Sequence, residues 1–251
     1  MTRKVQKTKE KEEINMIPSK KTARLAGFLW LLMFIFGPIA QMIRSELFIT
    51  GDMVATANNI ISHEFLFRVG FVSDLVMMII YVLLPLALYK LLSGVDKNLA
   101  VIMIIFVVLG TSINMLNLSN EFTSLYLLSG IKYLSVFELP QLQAQSMLYY
   151  DLYLHGYEIA NIFFALWLIP LGVLVYKSKF IPRFLGALLV VGGCGLLLNV
   201  FIYFLFPGSE IISIILLIPQ TLSEFAFLVW LLIRGVNESK IRTATLLQCT
   251  A

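Results

Sequence analysis

The sequence predicts an all-α protein: an integral membrane bundle of six transmembrane helices, with both termini cytoplasmic and short interfacial helices in the two longer outer loops. Three observations carry that reading. Of 251 residues, 59% are hydrophobic and 14% charged. A soluble domain carries about a quarter charged residues, so this chain has too little polar surface to face water on all sides. Six apolar stretches are long enough to cross a bilayer, which takes roughly 20 residues each. The basic residues alternate between loops as an even number of spans requires.

The chain is divided into a basic cytoplasmic lead (1–22), a transmembrane domain (23–236) and a short cytoplasmic tail (237–251). Of the 19 Lys and Arg, 8 fall before residue 25. They read as charges flanking a first membrane helix rather than as a nucleic-acid patch. With no apolar run of its own, the lead is not a cleavable signal peptide, and the first span serves as anchor.

The spans are placed at 25–44, 68–92, 98–120, 150–177, 184–206 and 212–234. Arg24 precedes the first. Gly94 stops the second and Asp96 caps the third. "YKSKFIPRF" separates the fourth from the fifth, and "FPGSE" turns between the fifth and sixth. Residues 45–64 are long enough for a surface helix starting after Asp52. Residues 138–150 are read as an interfacial helix beginning at Pro140. Pro38, Pro85, Pro170 and Pro219 fall inside spans, where membrane helices tolerate them. Gly186, Gly192, Gly193 and Gly195 suit the fifth span to close packing. Loops on the side of the termini hold 16 Lys and Arg, and the other loops hold Arg44, Arg68 and Lys132. The side rich in basic residues is the cytoplasmic one. Cys194 and Cys249 lie too far apart in this scheme to form a disulfide.

Polar residues recur in the outer parts of the spans. The first carries Gln41 and Arg44, and the second Arg68 and Asp74. The third carries Asn114, Asn117 and Glu121, with Gly110 a turn below. The fourth carries Asp151, His155 and Glu158 at i, i+4 and i+7, with Asn161 slightly off that stripe. The fifth carries Asn199 and Tyr203, and the sixth Gln220, Ser223 and Glu224. Charged groups in a span cost several kcal/mol unless they face a protein interior and pair. The economical arrangement is a polar cavity open to the outside and closed below by an apolar plug, with the Asp151–His155–Glu158 stripe lining its mouth. The candidate ligand-binding set is Arg68, Asp74, Asn117, Glu121, Asp151, His155, Glu158 and Glu224. Arg68 is expected to neutralise Asp74 or Glu158. Against this stand plainer readings: membrane Asn as glue between helices, and Glu64–Arg68 as an interfacial ion pair.

"TARLAGFLWLLMFIFGPIAQ", "LFRVGFVSDL", "LHGYEIANIFFALWLIPLGVLVYKS" and "IPRFLGALLVVGGCGLLL" resemble successive blocks of a family of prokaryotic multi-pass membrane proteins, domain of unknown function 4386. The resemblance covers roughly residues 20–235. Arg68, Asp74, His155, Gly156, Tyr157, Pro182, Arg183 and Gly186 match its recurring pattern. Trp167 stands where the family pattern suggests a second histidine, which weakens a paired-histidine metal or haem site. The resemblance implies fold and location and supplies no chemistry.

Three functions compete. In a binding or transport protein, Asp74, Glu121, Asp151, Glu158 and Glu224 against Arg44 and Arg68 favour a cationic or zwitterionic small molecule or a lipid head group. Backbone unwound at Pro38 and Pro219 would serve transport. In an intramembrane enzyme, His155 acts as general base or joins Asp151, Glu158 and Glu121 on a metal. Only His63 and His155 are present, however, and no G-x-S-x-G elbow occurs. In a structural subunit, the polar groups are packing glue. No Walker or Rossmann glycine pattern appears. The expected partners are membrane lipids and a small-molecule ligand, with no nucleic acid. The sequence assigns no metal, no cofactor and no oligomeric state.

Overall fold

Seven α-helices and one short 3-10 turn account for nearly all the residues that the computed structural model describes, 19–236. They are α1 (Lys20–Leu47), α2 (Met53–Ser62), α3 (Glu64–Leu92), α4 (Lys97–Leu128), α5 (Leu139–Lys177), α6 (Arg183–Leu205) and α7 (Glu210–Ile233), with the 3-10 turn at Lys132–Val136. All except α2 are long and apolar enough to cross a membrane. Most of the basic lead, and the tail with Cys249, lie outside the described residues.

The short helices separate two expectations. Met53 does open a helix: the Asp52 carboxylate accepts from the Val54 and Ala55 amides at 3.1 and 2.9 Å, satisfying donors that α2 cannot bond itself. Asn59 returns its amide to the Glu46 and Leu47 carbonyls at the end of α1. Residues 138–150, by contrast, form no helix of their own. They are the opening of α5, which runs 39 residues without a break. Gln141 accepts the Glu138 amide at 2.9 Å, half of a capping box. Pro140 sits in the first turn, where its missing N–H costs nothing. Nothing between there and Tyr150 stops a helix. Nor do Pro38 and Pro219 unwind the backbone, since α1 and α7 continue through both.

Asp96 precedes α4 as expected and accepts the Leu99 amide at 3.2 Å, while Lys177 reaches its other oxygen at 3.4 Å. The Leu99 amide, and behind it Lys177, holds this carboxyl below its usual range.

The chain divides into two compact units. One comprises residues 19–31, 82–108 and 162–236. Its core centres on Trp30, whose ring lies 5.4 Å from both Trp167 and Phe227. Glycines let its helices approach. A Cβ on Gly172 would stand 2.5 Å from the Gly186 carbonyl oxygen, and one on Gly192 2.6 Å from Ser223 Oγ. Small residues at such crossings give membrane helices the backbone contact that hydrophobicity alone does not supply.

The other unit comprises residues 32–81 and 109–161. Its apolar cluster is Leu47, Phe48, Ile60, Phe67 and Leu125, and Tyr150 stacks on Phe48 at 3.6 Å. Within it α4 and α5 are joined by polar contacts. Ser124 and Ser146 each donate a hydroxyl to the other's carbonyl, at 3.0 and 2.9 Å. The Asn117 amide donates to the Tyr153 carbonyl at 2.8 Å and lies directly on Gly156, where a Cβ would collide with it.

Candidate functional site

The second unit holds a buried charge cluster. Arg44, in the last turn of α1, is 5% exposed. Its Nη1 donates to Asp74 Oδ2 of α3 at 2.8 Å and to Glu121 Oε1 of α4 at 2.6 Å. Its guanidinium carbon sits 4.9 Å from the ring centre of Tyr153 on α5. Four helices thus each give one side chain.

Local structure explains the assembly. A cation near the end of α1 complements the carbonyl end of the helix dipole. Arg44 is followed immediately by the Leu47–Phe48 corner packed on Ile60 and Phe67, which sets its position. Tyr153 is held from one side by the Phe48–Tyr150 stack and through its carbonyl by Asn117.

One guanidinium serves two carboxyl groups. Glu121 Oε2 is buried and accepts no hydrogen bond from any described residue. Along the same face of α4, Asn114 Oδ1 and Thr111 Oγ1 are also buried and unbonded. Asn114 spends its amide on Met78 sulfur at 3.4 Å. Burying ions costs several kcal/mol each, and geometry this short offsets that cost only when remaining lone pairs are satisfied.

The sequence-derived candidates separate. Asp74 and Glu121 join the Arg44 cluster, with Asn117 beside it as the support of Tyr153. Arg68 does not neutralise Asp74 or Glu158; Arg44 takes Asp74, and Arg68 bonds Glu64 from Nε and Nη2 at 2.9 and 2.6 Å. Asp151 and His155 lie on an exposed face of α5 shared with Leu148, Leu152 and Ile159. His155 Nδ1 donates to the Asp151 carbonyl at 2.6 Å. Glu158 is half-buried and accepts from Asn161 at 3.2 Å. Glu224 belongs to the first unit, where Trp30 Nε1 and the Gln220 amide donate to it at 3.2 and 2.8 Å.

Two participants stand outside the sequence-derived set. Arg44 is the hub, and its signal was present: the sequence puts a cation at the outer end of the first span, against a surplus of acids. Tyr153 carried no signal, because a tyrosine in an aromatic-rich helix end is ordinary. Among the described residues, no three His, Cys, Asp or Glu side chains are grouped to hold a metal.

The model of a family described as a domain of unknown function (DUF4386) matches residues 25–235. A protein of Archaeoglobus fulgidus, described as uncharacterized, is 29% identical over 163 residues, covering 65% of this chain and 82% of the relative. No solved structure matches the chain.

Proposed function

We propose that this chain, which belongs to the DUF4386 family and is a multi-pass membrane protein, binds a small cationic or zwitterionic ligand at the Arg44–Asp74–Glu121 cluster. The observation that carries the proposal is Glu121 Oε2, a buried carboxyl oxygen with no donor among the described residues, in a cluster where two acids share one guanidinium. An ammonium group supplies the missing donor, and with it a second positive charge for the two acids. A zwitterion adds an anion for the Arg44 nitrogens that the acids leave unused. Binding is favoured over transport because α1 and α7 keep their helical backbone at Pro38 and Pro219.

The count of basic residues, 16 on the side of the termini against 3, supports a cell-membrane orientation with both ends cytoplasmic. In that orientation Arg44, Asp74 and Glu121 occupy the outward parts of their helices.

The test is calorimetric titration of the purified full chain with choline, glycine betaine and ethanolamine. At least one should bind, and Glu121→Gln should weaken it by about tenfold or more, the equivalent of about 1.4 kcal/mol. If none of the three binds, or Glu121→Gln binds as well as the parent, the reading fails.

A further inference from the structure

Outside the charge cluster, the second unit carries a groove of about 360 Å³ on the flank of α3, lined by Phe65, Arg68, Val69, Val72 and Val76, with Phe36 of α1. From Phe65 to Val76 it follows roughly 16 Å of helix at about 1.5 Å per residue. Val72 is 53% exposed and Phe65 80%, so the groove opens away from the protein core. Its lining is carbon apart from the end that holds Arg68 and a serine that bonds its own helix. In a membrane-spanning helix such a face meets hydrocarbon.

The polar end has an order. Arg68 lines the groove, and Glu64 lies one turn beyond it, nearer the start of α3. The two side chains are about half exposed. Their bond uses Nε and Nη2 of Arg68 and one oxygen of Glu64, leaving Nη1 and the second carboxylate oxygen for a further partner. Phe122 lies beneath the guanidinium at 5.7 Å and keeps it on this face. Read from Val76 towards the start of α3, the sequence of groups is apolar trough, the Arg68 cation with Phe65 beside it, and then the Glu64 anion.

We propose that this is a binding site for one zwitterionic phospholipid: an acyl chain in the groove, the phosphate on Arg68 and the head-group ammonium on Glu64. The head group of such a lipid has the matching order, with its phosphate next to the chains and its ammonium beyond. Arginine is well suited to a phosphate because its remaining donors lie in the plane of the fork. An anionic lipid fits less well, because its phosphate would meet Glu64 with no ammonium to compensate. The site shares no residue with the Arg44 cluster and stands whether or not that cluster binds a ligand.

The full chain, delipidated in detergent, is mixed with equimolar phosphatidylethanolamine and phosphatidylglycerol of identical acyl chains. Native mass spectrometry then reads which lipid stays bound as collision energy rises. Phosphatidylethanolamine should be retained several-fold over phosphatidylglycerol. Val72→Trp, at an exposed position that fills the groove, should remove one bound lipid. The exchange Glu64→Arg with Arg68→Glu keeps an i, i+4 ion pair, though not the stacking on Phe122, and reverses the order of charge. It should abolish the preference. Phe122→Leu, which removes the stacking alone, should leave the preference in place. Equal retention of both lipids, a preference for phosphatidylglycerol, or an undiminished preference in the exchanged pair would each overturn the proposal.

Discussion

At Arg44 a single nitrogen holds two carboxylates, so the residue cannot be removed without leaving two buried acids facing each other. Arg44→Met should cost about 3–5 kcal/mol, the range for stripping one partner from a buried ionic group. It should appear as a large drop in the detergent melting temperature. Replacing all three members by apolar residues of similar volume (Arg44→Met, Asp74→Leu, Glu121→Met) should recover most of that loss, since no charge is left unpaired. A triple variant as unstable as Arg44→Met would show instead that the cluster contributes net stability. Arg44→Lys is not a mild change here: one ammonium cannot hold both acids and also lie flat over Tyr153. The sequence shows why such a cluster exists, as acids in apolar helices need partners, but not which partner. A basic residue near a helix end serves equally as dipole complement, interfacial anchor or buried hub, and only the corner at Leu47–Phe48 decides among these. His155 illustrates the converse. Its stripe with Asp151 and Glu158 is real as helical spacing, but spacing does not give phase. The buried face of α5 is set by Ser146, Tyr153, Ala160 and Phe164, which turns His155 outward.

Among the elements, α4 and α5 show how far composition reads through to packing. The apolar centre of each span was legible, because only long helices suit such stretches. Their ends were not: α4 runs on to Leu128 and α5 starts at Leu139, both well beyond the apolar runs. Polar residues such as Asn120, Ser124, Gln143 and Ser146 continue a helix as readily as they end one when the neighbouring helix satisfies them. Reciprocal Ser124–Ser146 bonds do this, and so does Asn117 on Gly156. The Gly156 contact is a test of the joint. Even a methyl group there meets the Asn117 carboxamide. Gly156→Ala should therefore destabilise by about 1–3 kcal/mol, as overpacking does. It should also weaken ligand binding at the charge cluster, because Asn117 positions Tyr153. Adding Asn117→Ala removes the obstacle, so the double variant should melt above Gly156→Ala alone. Non-additivity of that sign is what a direct contact produces. If the double variant melts lower by the sum of the two single losses, the two residues act independently and the contact is not the cause.

For the whole molecule, the distribution of basic residues favours one orientation of the chain, and labelling tests it. If all six candidate spans cross, both ends lie on one side, and the segments assigned to that side hold 16 of the 19 Lys and Arg. Cationic side chains resist translocation during insertion, and the bias counts over short loops, which all the loops here are. An odd number of spans would scatter the basic residues across both sides. Two exposed loop positions report the outcome without disturbing the fold. Ser135, in the 3-10 turn between α4 and α5, differs from cysteine by one atom. Lys179, between α5 and α6, already adopts a positive φ of 60°, and a cysteine there adds no new backbone constraint. Gly208 is a poorer probe, because its φ of 90° suits glycine and penalises a side chain. In a background with Cys194 and Cys249 replaced by serine, intact cells expressing Ser135→Cys should be labelled by a membrane-impermeant maleimide. Cells expressing Lys179→Cys should be labelled only after permeabilisation. The reverse pattern would place the Arg44 cluster on the cytoplasmic side, and the ligand proposed for it would then have to come from the cytoplasm. Labelling of both sites in intact cells would mean that the spans between them do not all cross, and the six-span topology would fall with it.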